Sequence, residues 1–148
     1  MSEKHITYND KGNISCIEWR TKKWVLHCED GPALIRYYDS GKKRIKEWRY
    51  NGRLHRIGKP ALIGWHSNGQ KWYVKYYKDG VSFREDGPNG LRWWSNGQKC
   101  QEKYYDIHGN LHREDGPAWS EWDHNGTLSK VEYYIHGVKQ EPLTKRAL

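Results

Sequence analysis

The chain has 148 residues, with 26 Lys plus Arg against 18 Asp plus Glu and a formal net charge of +8; that length fits one ordinary domain and not two large ones. A mean hydropathy of -1.14 would suit a disordered chain, but nine Trp and eleven Tyr beside a single Phe supply large rings that each keep a polar handle, which favours a thin, half-wet fold. No run of about 18 apolar residues occurs and residues 1–10 lack an apolar stretch, so the chain reads as cytoplasmic, without a transmembrane segment or a secretory signal peptide.

Taken in chain order, the sequence divides into similar segments of 28 or 29 residues. The first, 4–32, is divergent and ends in HCEDGP. The second, 33–60, ends in HRIGKP; the third, 61–88, in FREDGP; the fourth, 89–117, in LHREDGP. A shortened fifth, 118–142, is followed by a short polar tail, 143–148. Anchored on Gly12, Gly41, Gly69, Gly97 and Gly126, the segments share two aromatic columns. Tyr8, Tyr37, Trp65, Trp93 and Trp122 precede the glycine by four residues, and Trp19, Trp48, Tyr76, Tyr104 and Tyr133 follow it by seven.

Each segment therefore reads as aromatic, turn, aromatic. Asn-Gly between β-prone runs predicts a two-residue hairpin turn with both central residues at positive φ. A second turn, NGRL, KDGV, HGNL or HGVK, leads through the DGP exit to the next segment. The expected fold is all-β: an antiparallel meander of about ten strands built from five stacked hairpin repeats in one domain, 1–148. Such units cannot bury an apolar face alone, so stability must come from stacking neighbours.

This pattern resembles the MORN-type repeat family, whose units are hairpins with aromatic, Asn-Gly-turn and glycine signatures. LHREDGP, FREDGP and HCEDGP look like the DGP-ended variant repeats found in proteins of bacteriophages and large DNA viruses. The resemblance implies a viral protein with a binding or scaffolding role, and it supplies no catalytic residues.

His112, Arg113, Glu114 and Asp115 together invite an acid-base reading. Glu29 and Asp30, and Glu85 and Asp86, hold the same places in other segments, whereas a catalytic constellation is needed once. The exits read better as structure, with Asp capping the turn, Gly supplying an unusual φ, Pro setting the exit, and Arg pairing with acids of the next segment. His108 and His112 lie across a turn and lack metal-ligand geometry. Cys16, Cys28 and Cys100 show no disulfide or zinc spacing and read as reduced, buried structural thiols. No enzyme activity, cofactor or metal is expected.

Charge is unevenly spread. Segment 33–60 carries nine cations against Asp39 and Glu47, a net +7 of the +8. A two-residue turn would set Trp65 against Trp72, Ile63 against Val74 and Ala61 against Tyr76. In segment 33–60 the same register sets Tyr37 against Arg44, Ile35 against Lys46 and Ala33 against Trp48, placing cations where the neighbouring copy is apolar. The exit HRIGKP also lacks both carboxylates. The expected binding site combines Arg44, Lys46, Lys42, Arg49 and Arg56 as charges with Tyr37, Trp48, Trp65 and Trp72 as stacking surfaces. Tyr38, Tyr73, Trp94 and Trp119 are expected on the opposite face. The reading is a non-enzymatic protein that engages or inhibits an acidic host protein. The alternatives are a nucleotide or single-stranded nucleic-acid binder, and a virion or membrane scaffold that meets anionic lipid or self-associates through sheet edges.

Overall fold

Short β-prone runs separated by glycine turns form strands throughout the computed structural model, which describes residues 1–142; the tail 143–148 lies outside the described residues. The strands are β1 (Glu3–Tyr8), β2 (Ile14–Arg20), β3 (Leu34–Tyr37), β4 (Lys43–Glu47), β5 (Arg49–Tyr50), β6 (Arg53–Leu54), β7 (Leu62–Trp65) and β8 (Lys71–Lys75). They continue as β9 (Tyr77–Lys78), β10 (Val81–Ser82), β11 (Gly90–Trp93), β12 (Lys99–Lys103), β13 (Trp119–Trp122), β14 (Leu128–Ile135) and β15 (Val138–Gln140). Eleven of them form one sheet in the order β1-β2-β3-β4-β7-β8-β11-β12-β13-β14-β15, while β5–β6 and β9–β10 are separate short hairpins. The described pairings are antiparallel, and the all-β meander expected from the sequence is present. No helix of the described residues is long and apolar enough to cross a membrane.

The turn chemistry differs from expectation. In the Asn68-Gly69 turn, Gly69 N donates to His66 O (2.9 Å) and His66 N to Gln70 O (2.9 Å), which makes a three-residue loop. Gly69 takes φ 92° and Asn68 stays at negative φ. The two-residue turns with both residues at positive φ occur in the second hairpins, at Asn51-Gly52, Asp79-Gly80 and His136-Gly137. These match the right-handed twist of the strands they join.

The longer loop shifts the register behind it. Ile63 pairs with Val74 and Ile35 with Lys46 as expected, but a β-bulge then sets Trp65 against Lys71 and Tyr37 against Lys43. The expected pairs Trp65 with Trp72 and Tyr37 with Arg44 are therefore not formed. A bulge places two consecutive residues of one strand opposite one of the other, so Arg44 turns to the side of Ile45.

Directly paired residues share a face, and this defines a front face. Its first row runs Ile17, Ile35, Lys46, Ile63, Val74, Leu91 and Glu102 across successive strands. Two residues along, a second row alternates large and small, as Trp19, Ala33, Trp48, Ala61, Tyr76, Asn89, Tyr104 and Ala118. It is bridged by bonds such as Trp48 N to Ala61 O (2.8 Å) and Tyr104 N to Ala118 O (2.9 Å). Ala33, Ala61 and Ala118 are 0% exposed and Asn89 is 4%, yet among the described residues no large side chain is fully buried. The fold is thin, as the composition suggested.

The exits roof this row. Arg56, Arg84 and Arg113 lie 3.8, 4.2 and 4.1 Å over Trp48, Tyr76 and Tyr104, and each Nη1 donates to the carbonyl of Pro60, Pro88 or Pro117. The exit arginines thus serve their own segment and do not pair with acids of the next one. Among the DGP exits Gly87 takes positive φ while Gly31 and Gly116 do not, and in HRIGKP Gly58, one place earlier, takes it too. Coupling between segments comes from His27, His55 and His112, whose Nδ1 atoms accept the amides of Asn51, Asp79 and His136 at 3.0 to 3.1 Å. Tyr38 Oη and Trp94 Nε1 likewise donate to the carbonyls of Trp65 and Trp122. These two aromatics sit at the first turns, while Tyr73 and Trp119 lie on the back face.

Two outcomes check this architecture. A Cβ at Gly64 would meet the Tyr73 ring at 2.5 Å whereas one at Gly90 meets nothing within 4 Å, so Gly64→Ala lowers stability by about 1–3 kcal/mol in urea unfolding while Gly90→Ala does not. His112→Ala costs about 1 kcal/mol and raises hydrogen exchange at the His136 amide.

Candidate functional site

The nine residues expected to form one patch are divided by the sheet. Lys46 and Trp48 lie on the front face, with Tyr37 and Trp65 farther along it. Arg56 arrives from the exit to stack on Trp48 at 3.8 Å, and Lys46 Nζ is 5.9 Å from the same ring. Arg44 lies on the back face, 5.6 Å from the Tyr38 ring. Trp72 is also a bulge residue on the back, 5.1 Å from Tyr73 with Arg92 5.9 Å away. Arg49 bonds the Glu47 carboxylate through Nε and Gly52 O through Nη1, so its charge is met internally. Lys42 is exposed in the first turn.

What remains together on the front face is Lys46 and Arg56 at Trp48, with Lys43 farther toward the turn, opposite Tyr37 and near enough to bear on the Lys46 charge. Lys46 is half-buried between Ile35 and Ile63. Burial holds its ammonium below the usual lysine range, and Lys43 and Arg56 push it further the same way. Burial also lowers Arg56. The fourth segment shows what is missing, because Lys99 and Glu102 occupy the equivalent positions and form an ion pair at 2.8 Å. Cations at both positions repel where the equivalent pair attracts. Lys43 was legible only as one of many charges; its role depends on the bulge that returns it to the front.

Beside this cluster, the exits of the second and third segments enclose a cleft of about 360 Å³, with Arg56, Ile57 and Gly58 on one wall and Phe83, Arg84 and Glu85 on another. Ile57 is 77% exposed. The expectation of one continuous aromatic patch missed this cleft. Its single sequence signal was the loss of both carboxylates from HRIGKP.

Other titratable groups have structural partners. Asp106 Oδ1 accepts the amides of His108 and Asn110 (both 2.9 Å), and Oδ2 meets His136 Nδ1 at 2.9 Å. The bond to His136, followed by the amide donors, holds this carboxyl well below the usual range. The three cysteines are half-buried and not fully buried; burial raises Cys16 and Cys100. Among the described residues no three His, Cys, Asp or Glu side chains gather in a way that would hold a metal ion.

No protein-family model matches the chain, and no curated protein or solved structure matches it at a significant level.

The charge in the apolar row has a measurable cost. Lys46→Met raises stability at neutral pH by a few tenths to about 1 kcal/mol. A base whose folded value is lowered destabilises the fold while charged. That penalty is full below the lowered folded value and fades as pH rises toward the unfolded value of 10.5. The gap between Lys46→Met and wild type in urea titrations should therefore close over that interval.

Proposed function

We propose that the chain is a non-enzymatic protein of five MORN-like repeats that binds an acidic partner protein through the Lys43, Lys46 and Arg56 cluster. One observation carries this reading: the paired positions that hold Lys99 and Glu102 in the fourth segment hold two lysines in the second, beside an arginine whose exit has lost both carboxylates. A half-buried cation without a counter-ion destabilises the free protein, and a partner carboxylate relieves it. Net charge of +7 in one segment also steers an acidic surface toward this face.

Carboxylates fit better than nucleobases. The faces on which bases would stack are already taken, because Arg56 covers Trp48, Arg84 covers Tyr76 and Arg113 covers Tyr104. The sheet also separates Trp72 and Arg44 from this cluster, which breaks the continuous aromatic track that a single strand needs. Poly-L-glutamate, oligothymidylate and phosphatidylglycerol vesicles compared at two salt concentrations test the assignment. Wild type should bind poly-L-glutamate most tightly, and Lys46→Glu with Arg56→Glu should weaken it at least roughly tenfold while Arg44→Glu has a smaller effect. Equal binding by the double variant, or stronger binding of either other probe, overturns the reading.

A further inference from the structure

We propose that Arg56 forms a receptor for one carboxylate side chain of the partner, which takes the place that an internal aspartate holds in the fourth segment. This inference rests on the acidic-partner reading and makes it specific. Arg113 lies over Tyr104, bonds Pro117 O through Nη1 and gives its Nε to Asp115 Oδ1 at 2.9 Å. Arg56 makes the same two contacts, over Trp48 at 3.8 Å and with Nη1 on Pro60 O at 3.2 Å. In HRIGKP, Gly58 stands where Asp115 stands and Ile57 where Glu114 stands. Among the described residues Arg56 meets no carboxylate, and it lines the cleft with its guanidinium held by the ring and by the carbonyl. A planar guanidinium fixed on two sides recognises a carboxylate with little ordering cost.

The cleft also limits the ligand. Arg56, Lys78 and Arg84 line it against Glu85 and Asp86, so the one cation in excess matches a single carboxylate better than a phosphate dianion. Ile57 and Phe83 offer apolar surface beside the charge. The chemistry is that of an aspartate or glutamate flanked by an apolar side chain.

The test is an NMR titration of the whole chain with N-acetyl-aspartate amide, following arginine Nε–Hε signals. The Arg56 signal should shift saturably and the Arg113 signal should not. Replacing Ile57→Glu, Gly58→Asp and Lys59→Gly together restores the order of 114–116 and should silence Arg56. The converse change, Asp115→Gly, should make Arg113 begin to respond, which keeps the test independent of how well the triple variant folds. A silent Arg56, or Arg56 and Arg113 shifting alike in wild type, overturns the inference. If poly-L-glutamate binds through Lys46 while Arg56 stays silent, the carboxylate receptor falls and the acidic-partner reading stands. If Arg56 responds and poly-L-glutamate does not bind, the reverse holds.

Discussion

A guanidinium lying on an aromatic ring, beside an alanine one strand away, is the contact on which the rest of this structure depends. A sheet one layer thick has no second layer to cover its apolar face. Here the cover comes from the chain's own exits, with Arg56 on Trp48, Arg84 on Tyr76 and Arg113 on Tyr104. The rings leave room for the arginines because their cross-strand neighbours are Ala33, Ala61, Asn89 and Ala118, all small and nearly or fully buried. Long polar side chains thus do the covering that leucines do in a two-layer fold, which reconciles a mean hydropathy of -1.14 with an ordered array. Each exit arginine is tied to its own proline carbonyl, so the roof is assembled segment by segment.

Local roofing leaves the segments to be joined by other means. The sheet hydrogen bonds do this on one side, and the exit histidines do it on the other by accepting an amide from the following hairpin. The glycines of the same turns make a second set of contacts. Gly52 N, Gly80 N and Gly137 N each donate to a leucine carbonyl of the preceding segment at 2.8 Å. Each segment is thereby joined to those beside it in the strand order.

The second segment keeps this frame and changes what lies upon it. Its arginine still sits on its tryptophan, but the first row carries Lys46 between two isoleucines and the exit has no acid. Lys46 is half-buried, and burial together with the charges of Lys43 and Arg56 holds its ammonium below the usual range. A local rule broken twice on an otherwise consistent scaffold is the reason the proposed site is placed here.

Much of this was legible in residue order. The aromatic columns located the strands, the glycines located the turns, and the charge count pointed to 33–60, because strand alternation and turn conformation are local properties. Pairs such as Ile63 with Val74 and Ile35 with Lys46 followed from the same reasoning. The faces of Arg44 and Trp72 did not follow. One extra residue in each first turn, absorbed as a bulge, reverses the side to which the next side chain points, and Asn-Gly is compatible with either loop length. Nor could the order of residues bring Arg56 onto Trp48 or set its wall of the cleft against that of Arg84, since those contacts join an exit to a strand and one exit to the next. The sequence by itself therefore determined where the strands, turns and excess charge lie along the chain. Tertiary structure alone decided which of those charges share a face, because parity across a turn and packing between segments are set only when the sheet closes on its neighbours.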